Sequence, residues 1–102
     1  MQVLESYGDN TGYELITPTA ATGFTASNLT DGNFNVDVAV ISVKDNPIRM
    51  RMDGSDPTAA AGYYVPADTQ WVIVGHENLS KFSCIDTNAG ASEVTVLFFR
   101  SK

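Results

Sequence analysis

Val36-Asp37-Val38-Ala39-Val40-Ile41-Ser42-Val43, then Lys44-Asp45-Asn46-Pro47, then Ile48-Arg49-Met50-Arg51-Met52 is the stretch that decides the fold. In its first part Val36, Val38, Val40 and Ser42 fall on one face, and Asp37, Ala39, Ile41 and Val43 on the other. Side chains alternate along a strand with a period of two. Both faces here are apolar for part of the length, which predicts a central strand covered on two sides. The residues after Pro47 alternate strictly, with Ile48, Met50 and Met52 on one face and Arg49 and Arg51 on the other. That predicts a half-buried antiparallel strand, and the Lys44–Pro47 cluster between the two reads as the turn of a hairpin.

The same period recurs downstream. Gln70 to Gly75, Lys81 to Asp86 and Glu93 to Arg100 read as strands, and Tyr63-Tyr64-Val65-Pro66 reads as a short edge segment because Pro66 has no N–H to donate. Gln2–Tyr7, Tyr13–Thr17 and Thr22–Thr25 are weaker candidates, and no run of ten residues carries a helical period without a breaker. Seven or eight short strands with frequent turn signals predict an all-β fold: a small antiparallel sandwich or partly open barrel without substantial helix.

The 102 residues make one β domain, 1–102, with a modest core. Residues 1–30 are the least patterned and read either as an extended arm docking on a neighbour or as less regular strands. Only 18% of residues are charged, against a usual share of about 25%. Ser, Thr, Asn, Gly and Ala must therefore cover much of the surface, and Pro18–Thr30 carries no charge at all. With twelve acidic and six basic residues the net charge is −6, which argues against nucleic acid, whose phosphates need clustered Lys and Arg. No apolar run is long enough for a membrane helix. The N-terminal residues lack a signal-peptide pattern, and the single Cys84 cannot close an internal disulfide, so a cytoplasmic origin is expected.

Few residues invite chemistry. His76 has no orienting partner at a telling spacing, Glu77 would face the other way on a strand, and a turn position at the end of the Trp71 strand explains it. Cys84 alternates with Phe82 on a core face and reads as packing. Asp53-Gly54-Ser55-Asp56 has oxygen ligands for Ca²⁺ but not the EF-hand spacing, and a turn with Gly54 at positive φ accounts for it. The Asn28 and Asn78 sequons read as chance matches. No catalytic, cofactor-binding or metal residues are expected, and the chain does not read as an enzyme. The candidate partner contacts are Tyr63 and Tyr64, adjacent residues of which one must face outward beside Ala59–Ala61, and Arg49 and Arg51. The arginines either grip a carboxylate on a partner or pair with Asp45, Asp53 and Asp56 across the hairpin. Tyr63, Tyr64 and Trp71 would serve instead for stacking on a sugar.

From Ala39 onward the chain resembles small structural proteins of tailed-bacteriophage virions. The resemblance is carried by Ile48-Arg49-Met50-Arg51-Met52-Asp53-Gly54-Ser55-Asp56-Pro57-Thr58, an apolar–Arg alternation followed by D-G-x-x-P-T. Gly62, Ala67-Asp68-Thr69, Lys81-Phe82 and the closing Val94-Thr95-Val96-Leu97-Phe98-Phe99 extend it over residues 39–102. It departs at Ala67-Asp68-Thr69-Gln70, where members carry a Gly-Asp turn. The resemblance implies a non-enzymatic β-sandwich in a virion. The expected role is a capsid decoration or cement protein on the outside of a phage head, with the major capsid protein as partner and a homo-oligomer as a further possibility. A neck, tail or fibre-associated adaptor is the alternative, and a carbohydrate-binding module a third reading.

Overall fold

The computed structural model describes residues 8–87 and 92–101, so the strand expected over Gln2–Tyr7 lies outside the described residues. Its accessible surface is 5582 Å², close to the roughly 5,600 Å² that area scaling gives for a folded chain of this mass. The fold is a small antiparallel β-sandwich, and among the described residues there is no closed barrel and no substantial helix.

One sheet has four strands. β1 (Asp9–Ile16) lies at one edge, and a two-residue ribbon, β2 (Thr30–Asp31) with β3 (Phe34–Asn35), stands outside the sheet. β4 (Val38–Lys44) is central, β7 (Thr69–Val74) is the other edge, and β9 (Glu93–Arg100) lies between β1 and β4. The second sheet has three strands, with β5 (Ile48–Arg51) flanked by β6 (Tyr63–Val65) and β8 (Ser83–Asp86). Ala39, Ile41 and Val43 of β4, Ile73 of β7, and Val94, Val96 and Phe98 of β9 meet Ile48, Met50, Val65 and Cys84 from the opposite sheet in one core. Phe24 lies under this layer, stacked on Phe82 at 4.2 Å and edge-on to Phe98 at 5.2 Å, both favoured arrangements of the ring quadrupoles.

β4 is covered on both faces, as its pattern predicts: Val38 and Val40 join Phe99 in a second, smaller cluster with Val72 and Leu97 around it. The hairpin expectation is wrong. β4 pairs with β7 and β9, whereas β5 pairs with β6 and β8, so Lys44–Pro47 is a corner between the two sheets. Asp45 turns it at φ 76°, a left-handed conformation that Asp tolerates better than most side chains. Thr87 and Ser92 then tie it down by donating to the Pro47 carbonyl. Two long apolar faces that must both reach the core are better served by a crossing than by a ladder.

His76 is not in a simple turn. It opens α1 (His76–Lys81), a helix of six residues and under two turns. That helix takes Lys81 out of the strand expected from that residue, and β8 begins at Ser83. Leu79 is the residue α1 buries, too few apolar positions for a 3.6-residue period to stand out. Thr22–Thr25 contributes only an isolated bridge, Thr22 to Cys84.

Candidate contact surfaces

The expected contact residues lie on the three-stranded sheet. β5 alternates as its sequence predicts, with Ile48 and Met50 buried and Arg49 and Arg51 on the outer face. The register sets Arg49 opposite Tyr64 on one side and Ile85 on the other. The Arg49 guanidinium stands 5.4 Å from the centre of the Tyr64 ring, within range of cation–π attraction. Arg49 also donates from Nε to the Ala59 carbonyl at 3.2 Å and from Nη1 to the Gly62 carbonyl at 3.0 Å. It therefore pins the long 53–62 loop to the sheet and is not paired with an aspartate.

Arg51 does pair with an aspartate, in a fork with Asp53 that includes an Nε–Oδ1 hydrogen bond of 3.1 Å. The Arg51 hydrogen bond holds the Asp53 carboxyl below the usual carboxylate range, helped by the Ser55 N–H, and Asp53 in turn raises Arg51. The other two aspartates do not meet the arginines: Asp45 shapes the corner, and Asp56 accepts a hydrogen bond from the Ser83 hydroxyl at 3.0 Å. Gly54 adopts φ +90°, the conformation its turn requires.

Tyr63 and Tyr64 leave opposite faces of β6, as strand alternation demands, yet both are exposed, at 55% and 48%. β6 is an edge strand, so the inward-facing Tyr63 overhangs the open side of the sandwich. There it meets Trp71 edge-to-face, with ring centres 5.7 Å apart at 83°. The two rings stand over a cleft of about 370 Å³ between the sheets, lined also by Met50, Met52, Ile73 and Asn78. Trp71 is held by a hydrogen bond from its Nε1 to Thr69 Oγ1 at 2.9 Å. Tyr64 is on the other side of the sheet, so the three aromatics do not form one platform.

The remaining candidates are occupied structurally. His76 Nδ1 lies 3.0 Å from the Val36 carbonyl, tying α1 to the residues before β4. Cys84 is wholly buried, and desolvation pushes its thiol up to about 12. The Asn28 amide donates to Glu14 at 2.9 Å and the Asn78 amide to the Val74 carbonyl at 2.8 Å. Asp37 takes hydrogen bonds from both the hydroxyl and the N–H of Ser101, chiefly the hydroxyl, which hold its carboxyl below its ordinary value. Among the described residues no three His, Cys, Asp or Glu side chains cluster as metal ligands, and no helix is long and apolar enough to cross a membrane.

The composition did not signal the four-stranded sheet's outer face, where Tyr13 and Leu15 are 60% and 50% exposed. Their alternation in Gly12–Ile16 was the available sign, weakened by a bulge between Asn10 and Gly12. No family model matches the chain, and neither does any curated protein or solved structure.

Proposed function

We propose that this protein is a non-enzymatic structural component of a phage virion, a decoration or cement protein seated on the major capsid protein. The observation that carries the reading is the aromatic–guanidinium patch of Tyr64 and Arg49, with Tyr63 at the adjoining edge, on a rigid sheet. Tyr and Arg are the residues most enriched where protein interfaces hold their binding energy. Here the loop behind them is already fastened by the Arg49 hydrogen bonds. A preorganised patch loses little entropy on docking. The resemblance over residues 39–102 supplies the virion context. The acidic surface fits a component that faces protein and solvent, away from packaged DNA. By burying area across capsomer seams the protein would stiffen the shell against internal pressure.

Copy number per virion tests the proposal. Decoration requires hundreds of copies by quantitative mass spectrometry, whereas a neck or tail adaptor follows cyclic symmetry with about three to twelve. A low count overturns decoration in favour of the adaptor. In a binding assay on purified heads, Tyr64→Ser is expected to weaken attachment about tenfold or more.

A further inference from the structure

An edge strand presents backbone N–H and C=O groups with no ladder to join, and folded proteins usually blunt such edges. Three edges of the two main sheets are blunted here. β1 carries a bulge between Asn10 and Gly12 and the charges of Asp9 and Glu14. β6 has three residues and stops before Pro66. The far side of β8 is covered, since Thr22 and Cys84 exchange two backbone hydrogen bonds of 2.9 Å and the Asp86 N–H donates to the Pro18 carbonyl at 2.9 Å. β7 has none of these devices. Its six residues include no charge and no proline, pair with β4 without a register shift, and have no strand on their far side among the described residues.

The ladder fixes which β7 groups point outward. Gly75 donates at 2.7 Å to Asp37, which lies directly opposite if the β4–β7 register is continued by one residue. By the alternation of an antiparallel ladder, Trp71 and Ile73 then bond to β4, while Gln70, Val72 and Val74 turn their N–H and C=O away from it. The Val74 carbonyl is taken by the Asn78 amide at 2.8 Å. Gln70 and Val72 keep both groups open among the described residues. The apolar cleft under Tyr63 and Trp71 opens on this same side, so an unused ladder and an unfilled apolar opening share one wall of the sandwich.

We infer that β7 pairs antiparallel with β7 of a second copy, about a two-fold axis perpendicular to the sheets. Gln70 meets the second copy's Val72 and Val72 its Gln70, which makes four backbone hydrogen bonds and leaves the Val74 carbonyl with Asn78. The two four-stranded sheets become one of eight strands. Trp71 then faces the second copy's Trp71 in a non-hydrogen-bonded pair, where side chains come closest and aromatic pairs stabilise a sheet. This axis keeps both three-stranded sheets in one layer, so the two clefts meet and each Tyr63, 55% exposed in the single chain, is covered. An isologous contact needs a self-complementary surface, and an uncharged edge lets two copies of a chain with net charge −6 approach. Arg49 and Tyr64 point to the other side of their sheet and stay uncovered, so the pairing does not rest on the virion reading.

A side wall about 20 Å long and about 20 Å tall gives a flat footprint of roughly 400 Å² per copy. Two such walls fall below the ~1,200 Å² at which stable specific interfaces begin, so the dimer is weak and concentration-dependent.

Sedimentation equilibrium over about 10 µM to 1 mM is expected to show the mass rising from 11.0 kDa towards twice that value. Trp71 is the only tryptophan, and its quenching by acrylamide should fall in step with the mass. Gln70→Pro removes an N–H that β4 does not use and should hold the chain at the monomer mass, with circular dichroism confirming the fold. Gln70→Ala keeps that N–H and should associate like the native chain. Tyr63→Ser leaves β7 intact and should weaken association about tenfold. A monomer at every concentration overturns the inference. So does a dimer that leaves Trp71 quenching unchanged, one indifferent to both Gln70→Pro and Tyr63→Ser, or a loss in Gln70→Ala as large as in Gln70→Pro.

Discussion

Cys84 shows how completely one side chain's chemistry is set by its surroundings. Its place on β8 among the core residues keeps the thiol neutral, with a pKa pushed up to about 12 by desolvation. An unfolded thiol ionises near 8.5. Between these values the folded state holds a proton that the unfolded state has released. The contribution is therefore intact below about pH 8.5 and is lost as pH rises towards 12, by about 1.4 kcal/mol per unit. Denaturant titrations at pH 8 and pH 10 should show this slope in the native protein. A Cys84→Ala variant should lose the slope while giving up about 1–2 kcal/mol of packing. The native thiol should also resist alkylation until the chain is denatured. Gly62 is constrained by backbone geometry: at φ +133° an added Cβ would stand 3.0 Å from Pro57 Cβ and 3.2 Å from Arg49 Cβ. Gly62→Ala should cost about 1–3 kcal/mol in thermal or denaturant melts, because Pro57 belongs to the anchored loop and Arg49 is the strand residue that anchors it.

At the scale of elements, Arg49 decides whether residues 53–62 behave as a loop or as part of the sheet. Its two hydrogen bonds to the Ala59 and Gly62 carbonyls cross from strand to loop. Arg49→Ala should cost about 1–3 kcal/mol and make this segment the first site of limited proteolysis, while Arg51→Ala, whose partner Asp53 is exposed, should leave the cleavage pattern unchanged. The strands themselves were legible because a period of two survives burial: β4, β5, β7 and β9 all lie where their alternation puts them. What the pattern could not carry was partnership. Nothing in Lys44–Pro47 distinguishes a hairpin turn from a corner, since both need the same turn residues. The outcome depends on which distant strands compete for β4, and β7 and β9 win both of its edges. The short helix α1 was hidden for a related reason, since it buries only Leu79. Of the contact residues, the outward course of Arg49 and Tyr64 follows from alternation alone, but the use of Arg49 as a loop anchor depends on a fold around Gly62 that local sequence does not state.

For the whole molecule, the two sheets leave two outer faces of different character, one with the Arg49–Tyr64 patch and one nearly free of charge. The placement of β9 reaches further, into the time course of folding. β9 lies between β1 and β4, and its register joins Asp9 to Arg100 and Val38 to Phe99. Until residues 93–100 have left the ribosome, β4 has an open edge and β1 has no ladder to join. Completing the four-stranded sheet therefore requires pairings as distant as Asp9 with Arg100 and Val38 with Phe99, and folding dominated by such distant pairings runs in milliseconds to seconds. Stopped-flow refolding should fall in that range, and a microsecond phase carrying the full fluorescence change of Trp71 would contradict it. Chain released from the ribosome would pass through a brief interval with apolar strand edges uncovered, which makes the order of synthesis itself a source of aggregation risk.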